Sequence, residues 1–243
     1  MIQIIKKSEQ FNDIIFGGKF FANKPVFHGK NNVKPYSYLY YWSNSYVIDD
    51  CEFGLHPHEG FEIMTFLFNG KIEHYDTQSK VWTSLNAGDF QIIQSNSGIK
   101  HQERIANGSR AFQIWFDPNY KKTLLLNPSY IDYHSNDFLS REVNGVDTIT
   151  YIGEGSIART LTPDLVIKKI KVAKNTIHKL ILDESLGYIF YVISGSGSIN
   201  NEFLEIDDSL RVFNESELSL SFEGELFYIA SPMNLSYKPI WEE

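Results

Sequence analysis

The chain of 243 residues is long enough for one large domain or two smaller ones, each with its own hydrophobic core. Its net charge of −8 argues against direct nucleic-acid binding, because contacts to phosphates require a basic surface. The single cysteine excludes an intramolecular disulfide. Because no apolar run reaches membrane-span length and the first residues lack a signal-peptide pattern, a cytoplasmic protein without membrane contact is predicted.

Short runs rich in aromatic and β-branched residues alternate with turn signals along the whole chain. The 14 tyrosines and 18 phenylalanines favour β structure, since aromatic side chains suit pleated sheets. The clearest turn signals are Asn69-Gly70, Asn86–Asp89, Asn107-Gly108, Ser194–Gly197, Asp207-Asp208 and Glu223-Gly224. Long stretches of helical periodicity are absent, so an all-β fold with few short helices is predicted.

A weak internal repeat links the two halves of the chain. The segment Phe61–Gly70 resembles Leu186–Gly195, and a similar turn follows each of them, at Leu85–Asp89 and at Leu204–Asp208. The repeat predicts two β units in tandem, an N-terminal one over residues 1–130 and a C-terminal one over 131–243. A single β-sandwich with chance similarity between its halves is the alternative.

The segment Leu55–Glu62 carries two histidines and a glutamate at alternate positions. Side chains alternate between the two faces of a strand, so we expect His56, His58 and Glu62 to share one face. Two histidines at positions i and i+2 can bind one metal ion from that face, although such a pair alone is a weak indication.

A second alternating segment strengthens the prediction of a metal site. His101, Glu103 and Ile105 take one face of a predicted strand, while long polar side chains take the other. An imidazole and a carboxylate that face an apolar interior are unfavourable unless they are paired or bound to a metal. With His56 and His58, they make three imidazoles and one carboxylate, a set that suits Fe, Mn, Ni, Co, Cu or Zn better than Ca or Mg.

Three further polar residues lie near these segments and receive other interpretations. Glu62 is predicted to accept a hydrogen bond or a proton beside the ligands, or to act as an occasional ligand itself. His74 is interpreted as a structural histidine with satisfied hydrogen bonds, and Cys51 as a bystander thiol.

The motifs resemble those of the pirin family of the cupin superfamily, in family order and spacing over about residues 50–117. The resemblance is carried by His56-Pro-His58-Glu-Gly-Phe-Glu62, Gly70, His74-Tyr-Asp76, Ala87-Gly-Asp89, Ser97-Gly-Ile-Lys-His101-Gln-Glu103 and Gln113-Ile-Trp115. It implies two tandem cupin-type β-barrels, with one metal ion, most often Fe(II), in the N-terminal barrel. The family ligands fall on His56, His58, His101 and Glu103, and the C-terminal barrel is expected to be degenerate and metal-free.

The resemblance implies two alternative functions. The first is a dioxygenase that opens a flavonol such as quercetin with dioxygen, with Glu103 or Glu62 as general base. The second is a non-catalytic metal- or redox-sensing regulator that binds a protein partner. An enzyme requires an open pocket at the metal, whereas a sensor can have a closed site.

This sequence departs from the family pattern at three positions. Glu59 and Tyr75 stand where arginine is usual, which predicts a less basic mouth of the site. Asn96 replaces a glycine in a turn, and we expect the turn to survive because asparagine tolerates positive φ better than other non-glycine residues.

A manual alignment of the two halves predicts that the metal site is not repeated. It places Ile181 and Asp183 at the positions of His56 and His58, and it places Leu220 and Phe222 at those of His101 and Glu103. The C-terminal unit is therefore predicted to serve in packing or partner binding.

Overall fold

The computed structural model describes residues 1–173 and 177–242, which form twenty β-strands, one short α-helix and five 3-10 helices. The strands are β1 (Ile2–Ile5), β2 (Phe11–Ile15), β3 (Phe20–Val26), β4 (Leu39–Val47), β5 (Cys51–His58), β6 (Glu62–Asn69), β7 (Lys71–Asp76), β8 (Trp82–Asn86), β9 (Phe90–Gln94), β10 (Ile99–Ile105), β11 (Arg110–Phe116), β12 (Ser129–Tyr133), β13 (Ser140–Val143), β14 (Val146–Ile152), β15 (Val166–Val172), β16 (Ile177–Ile181), β17 (Leu186–Ile199), β18 (Glu202–Glu205), β19 (Ser209–Val212) and β20 (Glu217–Pro232). The helices are α1 (Tyr120–Thr123) and 3-10 turns at Lys7–Glu9, Phe16–Gly18, Asn31–Val33, Ser135–Asp137 and Ile240–Glu242. The predicted all-β class with few short helices is confirmed.

The chain divides into two compact units, and each terminus belongs to the unit built mainly from the other half of the chain. The N-terminal unit contains Phe11–Asp137 and Tyr237–Glu243, and the C-terminal unit contains Met1–Gln10 and Phe138–Ser236. The predicted bounds of 1–130 and 131–243 do not include this exchange of termini. No helix in the described part of the chain is long and apolar enough to cross a membrane.

Strand pairing and hydrogen bonds explain where the termini lie. β1 extends the C-terminal unit at the edge strand β19, where Ile2 pairs with Val212. At the other terminus, the Tyr237 hydroxyl donates to the carbonyl of Asp117 at 2.6 Å within the N-terminal unit. Both terminal segments therefore satisfy backbone groups that would otherwise lack protein partners.

The N-terminal unit consists of two antiparallel sheets that face each other. The larger sheet has the order β12-β9-β6-β11-β4-β3-β2, and the smaller has the order β5-β10-β7-β8. Leu67 and Ala111 of the larger sheet pack in one apolar cluster with Ile72 and Ile105 of the smaller sheet. The sheets are separate in their hydrogen bonding, so the unit is a cupin-like pair of facing sheets and not one continuous closed barrel.

The C-terminal unit is a single nine-stranded sheet with the order β1-β19-β17-β20-β15-β14-β13, in which β16 also pairs with β20 and β18 with β17. Leu220 and Phe222 lie in its apolar core, 0% and 3% exposed, whereas Ile181 is 73% exposed. The positions aligned with His101 and Glu103 are thus occupied by packed hydrocarbon.

The internal repeat has a structural basis in one recurring turn. In the N-terminal unit, Asp89 accepts a hydrogen bond from the Leu67 N–H at 3.1 Å. In the C-terminal unit, Asp208 accepts one from the Val192 N–H at 3.0 Å. Both aspartate side chains also accept a hydrogen bond from the backbone N–H three residues earlier in the chain, at 2.9 and 3.0 Å.

Candidate metal centre

Two neighbouring strands bring three histidines together inside the N-terminal unit. β10 pairs with β5 so that His101 lies opposite His56. The ring centroid of His101 lies 4.3 Å from that of His56 and 4.8 Å from that of His58. One nitrogen of each ring lies within 4.8 Å of the others, and no other such trio of potential ligands occurs in the described ranges. The three imidazoles are close enough to bind one ion.

A β-bulge on β5 orients the first two histidines. His101 pairs with His56, but Glu103 pairs with Phe53, so β5 carries one extra residue at this point. A bulge breaks the alternation of the strand that contains it. Phe53 and His56, which a regular strand would place on opposite faces, therefore both line the same interior pocket.

Hydrogen bonding and burial prepare the imidazoles for metal binding. The Nδ1 atom of His56 lies 2.8 Å from the carbonyl oxygen of Gly54. Because a carbonyl only accepts, Nδ1 must carry the proton, and the lone pair is on Nε2. Burial lowers the pKa of His58 to about 4, and burial reinforced by His58 and His56 lowers the pKa of His101 to about 2. The rings of His58 and His101 are therefore neutral near pH 7.

His101 shows directly that the site fits a metal ion. Its side chain is fully buried, and neither ring nitrogen has a hydrogen-bond partner in the described part of the chain. A buried polar group without a partner is unfavourable, and a bound cation would satisfy it. The donor set, imidazole nitrogens with a carboxylate beside them, suits a divalent transition metal.

Glu103 lies beside the three histidines rather than within their compact group. Its side chain faces the same pocket, where Oε1 lies 3.7 Å from His101 Nδ1 and accepts a hydrogen bond from Gln113 Nε2 at 3.2 Å. Burial raises the pKa of Glu103 to about 7, although the Gln113 hydrogen bond opposes the shift. The structure thus brings together three of the four predicted ligands and places the fourth within reach.

Glu62 does not belong to the site, and the prediction that it shares a face with the histidines is wrong. Gly60 has a φ of +74° and separates β5, which ends at His58, from β6, which begins at Glu62 in the other sheet. On β6, Thr65 lines the pocket, so Glu62 has the opposite orientation. There, fully buried, it accepts a hydrogen bond from Gln94 at 3.1 Å.

His74 lies close to the centre and Cys51 lies at the opposite end of β5, and neither joins the histidine group. The ring of His74 stacks on Tyr130 at 4.7 Å and lies 5.3 Å from the ring of His101. Neither of its nitrogens has a hydrogen-bond partner among the described residues, so the expected satisfied histidine is not observed. Burial lowers the pKa of His74 to about 4, and burial raises the pKa of the Cys51 thiol, which favours the unreactive form.

The positions that depart from the family pattern have different surroundings. Glu59 accepts a hydrogen bond from the Tyr120 hydroxyl at 3.0 Å and lines a shallow groove that reaches His58. Tyr75 pairs with Gln102 and packs against Trp82 on the outer face of the smaller sheet. Of these two positions, only Glu59 therefore lies on a groove that reaches one of the histidines.

The turn at Asn96 is preserved, as predicted. Its φ is +44°, a conformation that asparagine adopts more readily than most residues. The side-chain amide donates to the carbonyl of Asn127 at 2.8 Å, and the backbone carbonyl accepts from the N–H of Gly60 at 2.8 Å.

Two of the histidines line a pocket of about 370 Å³ between the two sheets, a size typical of small-molecule sites. His56, His58 and Glu103 form part of its wall, and most of the remaining wall is apolar or aromatic. Lys24 also lines the pocket and was not predicted from the sequence. The sequence feature that could have identified Lys24 is its spacing, because it continues the inward alternation of Phe20 and Ala22.

Comparisons with known proteins agree with this fold. The Pirin family model matches residues 20–116. A quercetin 2,3-dioxygenase of Escherichia coli O157:H7 is 24% identical over 177 residues, which cover 71% of this chain and 72% of that protein. Pirin-1 of Arabidopsis thaliana is 30% identical over 159 residues, which cover 60% of this chain and 53% of that protein. The crystal structure of the bacterial pirin YhhW from Escherichia coli, in complex with nickel(II), aligns with a TM-score of 0.78 at 21% identity and covers 96% of this chain and 99% of that one. Residues 20–116, which hold both histidine motifs, are thus similar to the pirin family, and the chain has the fold of the solved pirin structures.

Proposed function

We propose that the protein is a metal-dependent dioxygenase that opens a flavonol such as quercetin. The observation that carries the proposal is the pocket of about 370 Å³ whose wall includes His56, His58 and Glu103. A flat apolar substrate can enter beside the ligands, as an enzyme requires. The quercetin dioxygenase among the relatives supports the same substrate class.

We assign His56, His58, His101 and Glu103 as the ligands of one divalent transition metal, with Fe(II) as the first candidate. Mn, Ni, Co, Cu and Zn have compatible donor preferences. When bound, the ion would supply the Lewis-acid and redox chemistry that reactions with dioxygen require. The chain itself supplies neutral imidazoles, an apolar wall that excludes water, and a carboxylate.

Glu103 is the general base of the proposed reaction. In the metal-free protein, burial raises its pKa to about 7, so this carboxyl group can take up a proton near neutral pH. Gln113 fixes the orientation of Oε1 by its hydrogen bond. Glu103 therefore accepts the proton of the substrate hydroxyl, a role for which Glu62 lies on the wrong face of its sheet.

The test measures quercetin consumption and dioxygen uptake in parallel, with protein loaded separately with ferrous, manganous, nickel or cupric ion. We expect stoichiometric uptake in at least one loaded form and none in the chelated form. Glu103→Gln should lower kcat more than it lowers metal content, because an amide can still ligate weakly but cannot accept a proton. The matched control is Glu62→Gln, which should retain kcat.

A non-catalytic metal sensor that binds a protein partner is the competing function. It predicts no dioxygen uptake in any metal-loaded form, and that result would reject the enzyme. If dioxygen uptake is unchanged in Glu103→Gln, the protein is still an enzyme but Glu103 is not its base.

A further inference from the structure

One basic side chain lines the same pocket as His56 and His58. Lys24 on β3 is 9% exposed and is the only lysine or arginine among the described residues of the pocket wall. We propose that Lys24 determines the specificity of the pocket, by selecting flat aromatic substrates with an acidic hydroxyl or other anionic oxygen at the end remote from the histidines. The inference rests on the proposed function and specifies its substrate class.

Local backbone structure directs Lys24 into the pocket. Phe20, Ala22 and Lys24 alternate toward it along β3. After Asn23, the register of β3 against β4 shifts by one residue, and Pro25 lies within this bulge. Proline has no N–H for a sheet ladder and is compatible with a bulge, so the inward alternation of β3 ends at Lys24, within the bulge.

The ammonium group is held without full hydration. Its Nζ atom lies 5.1 Å from the ring centre of Phe11, 5.0 Å from that of Phe27 and 5.6 Å from that of Tyr41. Asp13 accepts one hydrogen bond from Nζ at 3.2 Å. An ammonium group has three N–H donors, so donors are available for a ligand oxygen. In a poorly solvated site, such a charge-assisted hydrogen bond is stronger than in water.

The position of Lys24 across the sheet sets the length of the substrate. Gln113, which holds Glu103, pairs with Ser43 on β4, and Ser43 lies opposite the bulged part of β3 that contains Lys24. Two strand spacings separate Gln113 from Lys24, or about 10 Å. A rigid molecule of two or three rings has about this length, so it can reach from the neighbourhood of Gln113 to that of Lys24.

The experiment compares quercetin with 3-hydroxyflavone, which has the same ring system and the same hydroxyl for the metal but no distant hydroxyl groups. Calorimetric titration of the zinc-loaded protein measures binding without turnover, because zinc has no redox chemistry. We expect wild type to prefer quercetin. Lys24→Met should weaken quercetin binding about tenfold and leave 3-hydroxyflavone binding nearly unchanged, whereas Lys24→Arg should retain the preference.

Lys30→Met is the matched control, because Lys30 also lies near the Phe11 ring, at 5.0 Å, but is exposed and outside the pocket wall. It removes the same charge and should change neither dissociation constant. An equal loss for both ligands in Lys24→Met, or an unchanged preference, would overturn the inference. If quercetin binding depends on Lys24 but no protein loaded with a redox-active metal takes up dioxygen, only the proposed chemistry is rejected. Failure of wild type to bind either flavonol would reject both proposals.

Discussion

Burial keeps the imidazoles of His58 and His101 neutral, and it keeps the Glu103 carboxyl partly protonated near pH 7. The three side chains therefore respond differently to pH. With pKa values of about 4 and 2, the two histidines already have free lone pairs above pH 5. Glu103, with a pKa of about 7, must still lose a proton before it can bind a cation.

Metal affinity should consequently rise with pH up to about 7, because a proton on Glu103 competes with the metal. Below the pKa of this carboxyl group, the metal affinity should rise about tenfold for each pH unit. Above that pKa, the carboxyl group should no longer change the affinity. Competition titrations with a chelator between pH 5 and 8 measure this slope. In the Glu103→Gln variant, the metal affinity should no longer show this tenfold rise per pH unit. An identical slope in wild type and variant would contradict the assignment of Glu103 as a ligand.

Replacement of His101 by leucine should have opposite effects on metal binding and on stability. The variant loses a ligand, so affinity should fall at least about tenfold. It also replaces a buried imidazole without hydrogen bonds by a side chain of comparable size that needs none. The free energy of unfolding of the chelated protein should therefore rise by about 1 to 3 kcal/mol.

Chemical denaturation of the chelated protein measures the stability, and elemental analysis measures the bound metal. His178→Leu is the control, because His178 is half-buried on β16 in the other unit and should change neither quantity appreciably. A destabilised His101→Leu protein would show that the imidazole has favourable contacts in the metal-free state.

Among the elements, those that follow simple alternation were predictable and those that interrupt it were not. β10 is a regular strand, so the shared face of His101 and Glu103 follows from period two. The bulge on β5 depends on its register against β10, which a single segment does not reveal. The prediction for Glu62 is wrong for a simpler reason. It extends the alternation of one strand through Gly60, where the chain passes to the other sheet.

Gly60 should be intolerant of any side chain. A Cβ atom there would lie 2.2 Å from the ring of Tyr120, and the φ of +74° is itself unfavourable for alanine. Gly60→Ala should lower the free energy of unfolding by about 2 kcal/mol or more. It should also weaken metal binding, because Tyr120 must move and His58 is two residues away. Gly108→Ala is the control, since its φ of +77° is similar but nothing lies within 4 Å of the added atom.

Thermal unfolding and chelator competition on both variants separate these effects. Gly108→Ala should show only the conformational penalty of about 1 kcal/mol, with normal metal affinity. Equal destabilisation of the two variants would show that the contact between Gly60 and Tyr120 contributes nothing.

In the whole molecule, the tandem arrangement was visible in the sequence because each unit repeats the same turn, at Asp89 and at Asp208. The exchange of termini was not visible in the sequence, because the partners of β1 and of Tyr237 lie far away along the chain. The sequence did not predict the role of Lys24 for the same reason. Its role depends on strands β4 and β11, which pairing alone brings beside it.

The whole chain should bind one metal ion, held by the N-terminal unit alone. The C-terminal unit contains packed leucine and phenylalanine where His101 and Glu103 have their counterparts, and none of its described residues form a group of metal donors. Elemental analysis of fully loaded protein should give one ion per chain, and none in His101→Leu after dialysis. Two ions in wild type would contradict the assignment.

Removal of the ion should loosen the N-terminal unit without unfolding either unit, because each has its own apolar core. A ligand stabilises only the structure that binds it, by about 4 kcal/mol at a concentration one thousand times its dissociation constant. Peptide-resolved hydrogen exchange with and without chelator measures where that stability is lost. We expect faster exchange in β5 and β10, and unchanged exchange in β17 and β20. Faster exchange throughout the chain would instead identify the metal as a structural requirement of the whole fold.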